Sequence, residues 1–137
     1  MGASRKTLID VYSKHVRSVV EFAAVVWTSG LTKDEITQIE RVQKCAFAIV
    51  LCQDYLSYNN ACETLDMDTL SKRREVLSYH FAEKASKHPE HSQWFVQNVA
   101  NTNTRSKKPP YMPAQGRTQQ FAKSTIPYLT KLLNTEH

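Results

Sequence analysis

The stretch Thr32-Lys-Asp-Glu-Ile-Thr-Gln-Ile-Glu-Arg-Val-Gln-Lys-Cys-Ala-Phe-Ala-Ile-Val-Leu51 decides the fold class. Thr32 and Glu35 have the spacing of a capping box, in which the hydroxyl and the carboxylate each accept a backbone N–H at a helix start. Leu31 before the cap and Ile36 after it have the spacing of a hydrophobic staple. Ile36, Ile39, Val42, Ala46, Ile49 and Val50 then recur at the helical period, with Thr37, Glu40, Arg41 and Lys44 on the polar side. A helix over Thr32–Leu51 with one buried face is expected.

Upstream, Leu8 to Trp27 reads as a second helix. Its largely apolar row is Leu8, Tyr12, His15, Val19, Phe22 and Val26, and its charged row is Asp10, Lys14, Arg17 and Glu21. Val19 to Trp27 is apolar nearly all round, which predicts deep burial, and Gly30 marks a stop. So short a link predicts an antiparallel hairpin of these two helices.

Downstream, Ser57 caps a short helix carrying Tyr58, Ala61, Cys62 and Leu65. A longer helix follows over Thr69–Lys87, with Asp68 as its expected N-cap and Leu70, Leu77, Phe81 and Ala85 on its buried face. His88-Pro89 ends it, because a residue before proline is disfavoured in the helical region. Glu90 to Asn98 suggests a further turn or two around Trp94 and Phe95. From Ala100 to about Lys123 the periodicity vanishes into polar, basic, proline-marked sequence. Leu129, Leu132 and Leu133 fit one face of a terminal helix that tolerates Pro127 in its first turn.

Composition narrows the function. The 137 residues suit a single domain, and three glycines leave little for a phosphate-cradling loop. Net charge is +5, unevenly spread: residues 1–100 hold 12 basic and 12 acidic side chains, residues 101–137 hold 6 and 1. The expected organisation is therefore a neutral helical bundle, 1–100, and a basic extended segment with a short helix, 101–137, packed on it as one domain. Such a segment suits an acidic partner, nucleic acid first, or is a solvated tail. Three cysteines, Cys45, Cys52 and Cys62, with no close pair, suit a reducing compartment and buried thiols. No signal peptide or apolar run of membrane length is visible, so an intracellular protein without membrane contact is expected.

No nucleophile motif or Walker loop is present, and neither catalysis nor a cofactor is expected. Asp66 and Asp68, with Glu63 nearby, read as turn and cap residues before an ion site. His88-x-x-His91 offers two imidazoles, but no spacing matches structural zinc, and no metal is expected. The candidate phosphate contacts are Lys72, Arg73, Arg74, Arg105, Lys107, Lys108, Arg117 and Lys123. Tyr111 and Phe121 interleave with the later ones as possible base-stacking groups. For one of Arg73 and Arg74, pairing with an acid on a neighbouring helix is the favoured alternative.

These residues resemble a family. Leu8-Ile-Asp-Val-Tyr-x-x-x-Val-Arg-Ser-Val-Val-Glu-Phe-Ala-x-x-Val-Trp27 is similar to the region after the palm in reverse transcriptases of non-long-terminal-repeat (LINE-type, jockey-like) retrotransposons. Ile39-Glu-Arg-Val-Gln-Lys-Cys-Ala46, Tyr55-Leu-Ser-Tyr-x-x-Ala-x-x-x-Leu65, Leu70-x-x-Arg-Arg-x-x-Leu77 and Ser124-x-Ile-Pro-Tyr-Leu-x-x-Leu-Leu-Asn134 continue the resemblance in order, over nearly the whole chain. Two departures stand out: the chain has no Asp-Asp pair of the polymerase palm, and Asp66 stands where the family often has glycine.

The resemblance implies a thumb-like, non-catalytic part of an RNA-directed DNA polymerase that grips RNA or an RNA–DNA duplex by its backbone. A missing palm domain is then a natural partner. The alternative is a helical protein-interaction or self-association module, or an inert retroelement relic.

Overall fold

The structure, a computed structural model, describes residues 2–98, 109–116 and 118–135. These residues are mostly helical and contain no sheet, so the fold is all-α as expected. The helices are α1 Arg5–Val11, a π-helical segment Tyr12–Arg17, α2 Ser18–Glu21, α3 Ala24–Trp27, α4 Lys33–Leu51, α5 Tyr58–Thr64, α6 Leu70–Lys87, α7 Gln119–Ala122 and α8 Thr125–Thr135. No described helix is long and apolar enough to cross a membrane.

The chain forms two compact units, Met1–Ala24 with Leu31–Glu75, and Val25–Gly30 with Val76–His137. Their boundaries fall inside α3, between Gly30 and Leu31, and inside α6, not near residue 100 where the charge changes. The reason is packing: Ala82, Ala85 and Phe95 share a core with Leu129 and Leu133 of α8. The charge asymmetry sharpens on this division. The first unit carries ten basic and ten acidic side chains, the second eight and three.

In the first unit α4 is the axis. Its capping box forms as read, with the Thr32 hydroxyl accepting from Glu35 N–H and the Glu35 carboxylate accepting from Thr32 N–H at 2.8 Å. The expected antiparallel hairpin is present between α4 and the stretch from α1 through the π-helical segment, not over the whole of Leu8–Trp27. Arg5 at the start of α1 pairs with Asp54 beyond the end of α4 at 2.7 Å, and Tyr12 donates to Gln43 Oε1 midway along α4 at 2.8 Å. Tyr12, Phe47, Leu51 and Ala61 form the core.

Three expected faces hold only in part, with Tyr12, Val50, Leu70 and Ala85 buried as expected, and each departure has one physical reason. The first helix is not continuous over Leu8–Trp27. Its π-helical segment inserts extra backbone per turn, and each extra residue rotates the downstream turns by about 100°. Tyr12 is buried, but His15, Val19 and Phe22 turn outward, while Arg17 and Glu21 of the charged row become half-buried. Val19 is 73% and Phe22 79% exposed, against the deep burial expected. The helix then breaks at Ala23, whose φ of 50° lies in the left-handed region. Val25 joins the core of α8, and Val26 C=O accepts from the Thr125 hydroxyl at 3.1 Å. Gly30 only closes a 3-10 turn and needs no positive φ.

On α4 the buried row is Gln43, Phe47, Val50 and Leu51, while Val42 and Ile49 face solvent. A polar residue at the centre of the row hid it from a hydrophobicity reading. On α6 the buried row is Leu70, Arg74, Ser78, Ala82 and Ala85, and Phe81 is exposed. Small residues line it, so it too lacks an apolar signature.

The start of α6 is also built differently. Thr69, not Asp68, is the N-cap, and its hydroxyl accepts from Lys72 N–H at 3.3 Å. The Glu40 carboxylate reaches over from α4 and accepts from Leu70 N–H and Ser71 N–H, and also from the Tyr58 hydroxyl of α5. A carboxylate there satisfies orphan donors and meets the positive end of the helix dipole. Gln43 completes the node, donating Nε2–H to Asp68 C=O at 2.9 Å.

The second unit centres on α8, with Pro127 in its first turn and Leu129 and Leu133 buried as expected. Its extended segment is fastened down. Tyr111 N–H donates to Asn134 Oδ1 at 3.1 Å, and Asn134 Nδ2 donates back to Tyr111 C=O at 3.0 Å. A single antiparallel bridge, Gln97 to Tyr111, ties the segment to the residues after the 3-10 turn Ser92–Trp94. Helix α7, within the stretch read as aperiodic, begins at a Thr118 cap.

Two outcomes test this account. Glu40→Ala removes two helix-start acceptors and the Tyr58 partner together. By urea unfolding it costs about 2–4 kcal/mol, whereas Asp68→Ala, at the cap expected from sequence, changes stability little. Burial raises Tyr12 to about 12, and burial with its Glu40 bond raises Tyr58 as well. An unfolded tyrosine releases its proton near the ordinary value of about 10, earlier than these. Folding stability is therefore full below about pH 10 and falls as pH rises toward about 12. Tyr12→Phe flattens that fall in pH-dependent melts.

Candidate nucleic-acid interface

The sequence-derived cations separate sharply in the structure. Lys72 extends from the exposed side of α6 and pairs with Asp68 at 2.8 Å, a contact that raises its pKa through the hydrogen bond and the charge. It remains open to solvent. Arg73 is engaged by Glu21 of α2, which Arg17 also approaches at 3.9 Å. The reading in which one arginine pairs with an acid on a neighbouring helix is thus met by Arg73.

Arg74 must be withdrawn from the phosphate-contact set. It is only 2% exposed, and its Nη2 donates to Ser71 Oγ one turn back at 3.1 Å. A guanidinium so enclosed cannot reach a polymer backbone in solvent. Its place at i+4 from Leu70 on the small-residue row of α6 explains the burial. Lys123 is exposed and follows α7 directly. Arg105, Lys107, Lys108 and Arg117 lie outside the described residues.

Two cations missed in the sequence come forward. Arg41 and Lys44 of α4 line a cavity of about 490 Å³ with Tyr55, Tyr58, Cys45 and Glu40. The Glu40 charge is already engaged by three donors, so Arg41 and Lys44 set the charge at the mouth. The Tyr55 hydroxyl is buried without a hydrogen-bond partner among the described residues. A cationic rim beside aromatic rings suits a phosphate that carries a planar base. The legible signal was there: Arg41 and Lys44 stand three apart on the polar side of α4, ahead of a tyrosine pair.

A second cavity, of about 430 Å³, is rimmed by Glu63, Asp66, Asp68 and Lys72. Asp66 sits in the turn, as read, with φ of 50°. Among the described residues these carboxylates do not converge into a three-ligand set. The thiols correct another expectation. Cys45 and Cys52 are exposed, Cys45 because α4 turns Val42 and Ile49 outward too, and Cys52 because it stands beyond the helix end. Cys62 is half-buried, and burial raises its pKa.

No family model, curated protein or solved structure matches the chain.

Arg73→Ala lowers stability by up to about 1 kcal/mol, since its guanidinium is partly solvated. Arg74→Ala costs about 2–3 kcal/mol through lost packing. Chemical denaturation of the two variants beside the wild type measures both costs.

Proposed function

We propose that this chain is a non-catalytic, thumb-like module of a LINE-type reverse transcriptase, holding RNA or an RNA–DNA duplex by its phosphates without reading sequence. The observation that carries this is the placement of charge. The entire positive excess belongs to one compact unit, in which Tyr111, between the basic stretches of the sequence, is held by paired bonds to Asn134.

The stretches that carry the family resemblance also interlock. Glu40 and Gln43, from the Glu-Arg-Val-Gln stretch, hold Tyr58, Leu70 and Tyr12, each from another of those stretches. Asp66, where the family often has glycine, takes the positive φ that glycine adopts most readily. Both points support the thumb reading over a chance likeness.

A second reading, an interaction or self-association module, is favoured by one observation. The first unit leaves large apolar side chains in solvent, among them Val19, Phe22, Ile49 and Leu56.

Titration of a labelled RNA–DNA duplex over a range of salt concentrations decides between them. Phosphate binding gives a log K that falls linearly with log salt, by about 0.9 per phosphate neutralised on a B-form duplex. Glutamine at Lys107, Lys108, Arg117 or Lys123 lowers that slope by about 1 per phosphate no longer neutralised. Weak, salt-independent binding overturns the proposal, and a dimer mass by light scattering then favours the second reading.

A further inference from the structure

The geometry points to a transition-metal site on the turn that follows α6, made by His88, Glu90 and His91. Helix α6 ends at Lys87, and His88 C=O accepts from His91 N–H at 3.1 Å and from Ser92 N–H at 2.8 Å. This tight turn places the two imidazoles on one side, nearly parallel, with centroids 4.8 Å apart. Glu90 lies between them in sequence, and one ligand atom from each of the three residues falls within 4.8 Å of the other two. Tetrahedral ligands bound at about 2.0–2.1 Å stand about 3.4 Å apart, so modest side-chain rotation closes the set. His88 and Glu90 are exposed and can make that rotation without disturbing a core.

Three features favour a cation here. His88 Nδ1 presents a lone pair, since it accepts Glu90 N–H, and at 3.3 Å that contact is long enough to yield. The C-terminal end of the 18-residue α6 carries partial negative charge, which suits a dication. Of the lysines in its last turn, Lys87 is paired with Glu83 at 2.7 Å, leaving Lys84 as the other basic group there. His91 also stacks on Trp94, centroids 4.4 Å apart, which holds its ring in place.

Two imidazoles and one carboxylate suit zinc, copper or nickel rather than magnesium or calcium, which take oxygen ligands. Water would fill the remaining positions. A bound ion cross-links the turn from which the bridged residues 96–98 leave. The His88-x-x-His91 spacing alone matches no structural zinc pattern; Glu90 and the ring stack supply the missing ligand and the rigidity.

Isothermal titration of the full chain with zinc chloride at neutral pH tests the site. One ion binds per chain, and His88→Ala, His91→Ala and Glu90→Gln each lose about tenfold or more in affinity. Glu90 is exposed and Glu90→Gln keeps the side-chain shape, so an unchanged melting temperature assigns its loss to the missing ligand. A variant with all three cysteines changed to serine binds as tightly as the wild type. Copper(II) quenches the fluorescence of Trp94, and Trp94→Phe removes that quenching while Trp27 still emits. The proposal is overturned if no zinc binds, if the histidine variants bind normally, or if affinity is lost with the thiols instead.

Discussion

The carboxylate of Glu40 is the contact on which the first unit depends. It stands midway along α4 and accepts at once from the start of α6 and from the hydroxyl of α5. One turn further on, Gln43 joins the π-helical segment through Tyr12 and the approach to α6 through Asp68 C=O. Two polar side chains three residues apart therefore position four helical segments. Apolar contact alone is non-directional and leaves helices free to slide. Buried hydrogen bonds have an angle and a length, and leaving a donor or acceptor unmatched costs about 1–3 kcal/mol, which selects one register.

The π-helical segment acts on the same unit from the other side. The segment turns its own Arg17 inward and, by rotating the turns after it, brings in Glu21, which becomes the acceptor for Arg73. The same rotation sends Val19 and Phe22 into solvent. Ion pairing and apolar exposure thus have a single backbone cause. Arginines at the centre of the sequence-derived binding set are absorbed by this scaffold, which moves the weight of any phosphate contact to the second unit and to Arg41 and Lys44.

Much of the fold is legible where a local rule is strong enough to act alone. The capping box at Thr32 and Glu35, the Ser57 cap, the His88-Pro89 stop and the leucine face of α8 all form as read, because each is satisfied within a few residues. The antiparallel pairing of α1 with α4 forms as read, although the expected short link is interrupted by the break at Ala23. The candidate site is less legible. Lys72 and Lys123 are exposed as expected, but nothing local distinguishes Arg73 from Arg74, since adjacent helical residues differ by about 100° in direction. Arg41 and Lys44 read as an ordinary solvated face until Tyr55 and Tyr58 are brought beside them.

By itself the sequence determined the helical class, the main helix ends and the uneven charge, since these rest on period, capping chemistry and composition. The tertiary structure decided which faces are buried, where the chain divides and which cations stay open to solvent. The physical reason is that burial depends on partners distant along the chain. Gln43 needs Tyr12 and the Asp68 carbonyl, Glu40 needs Leu70 and Ser71, and Val25 needs the core of α8. No residue pattern shorter than those separations encodes which of them will meet.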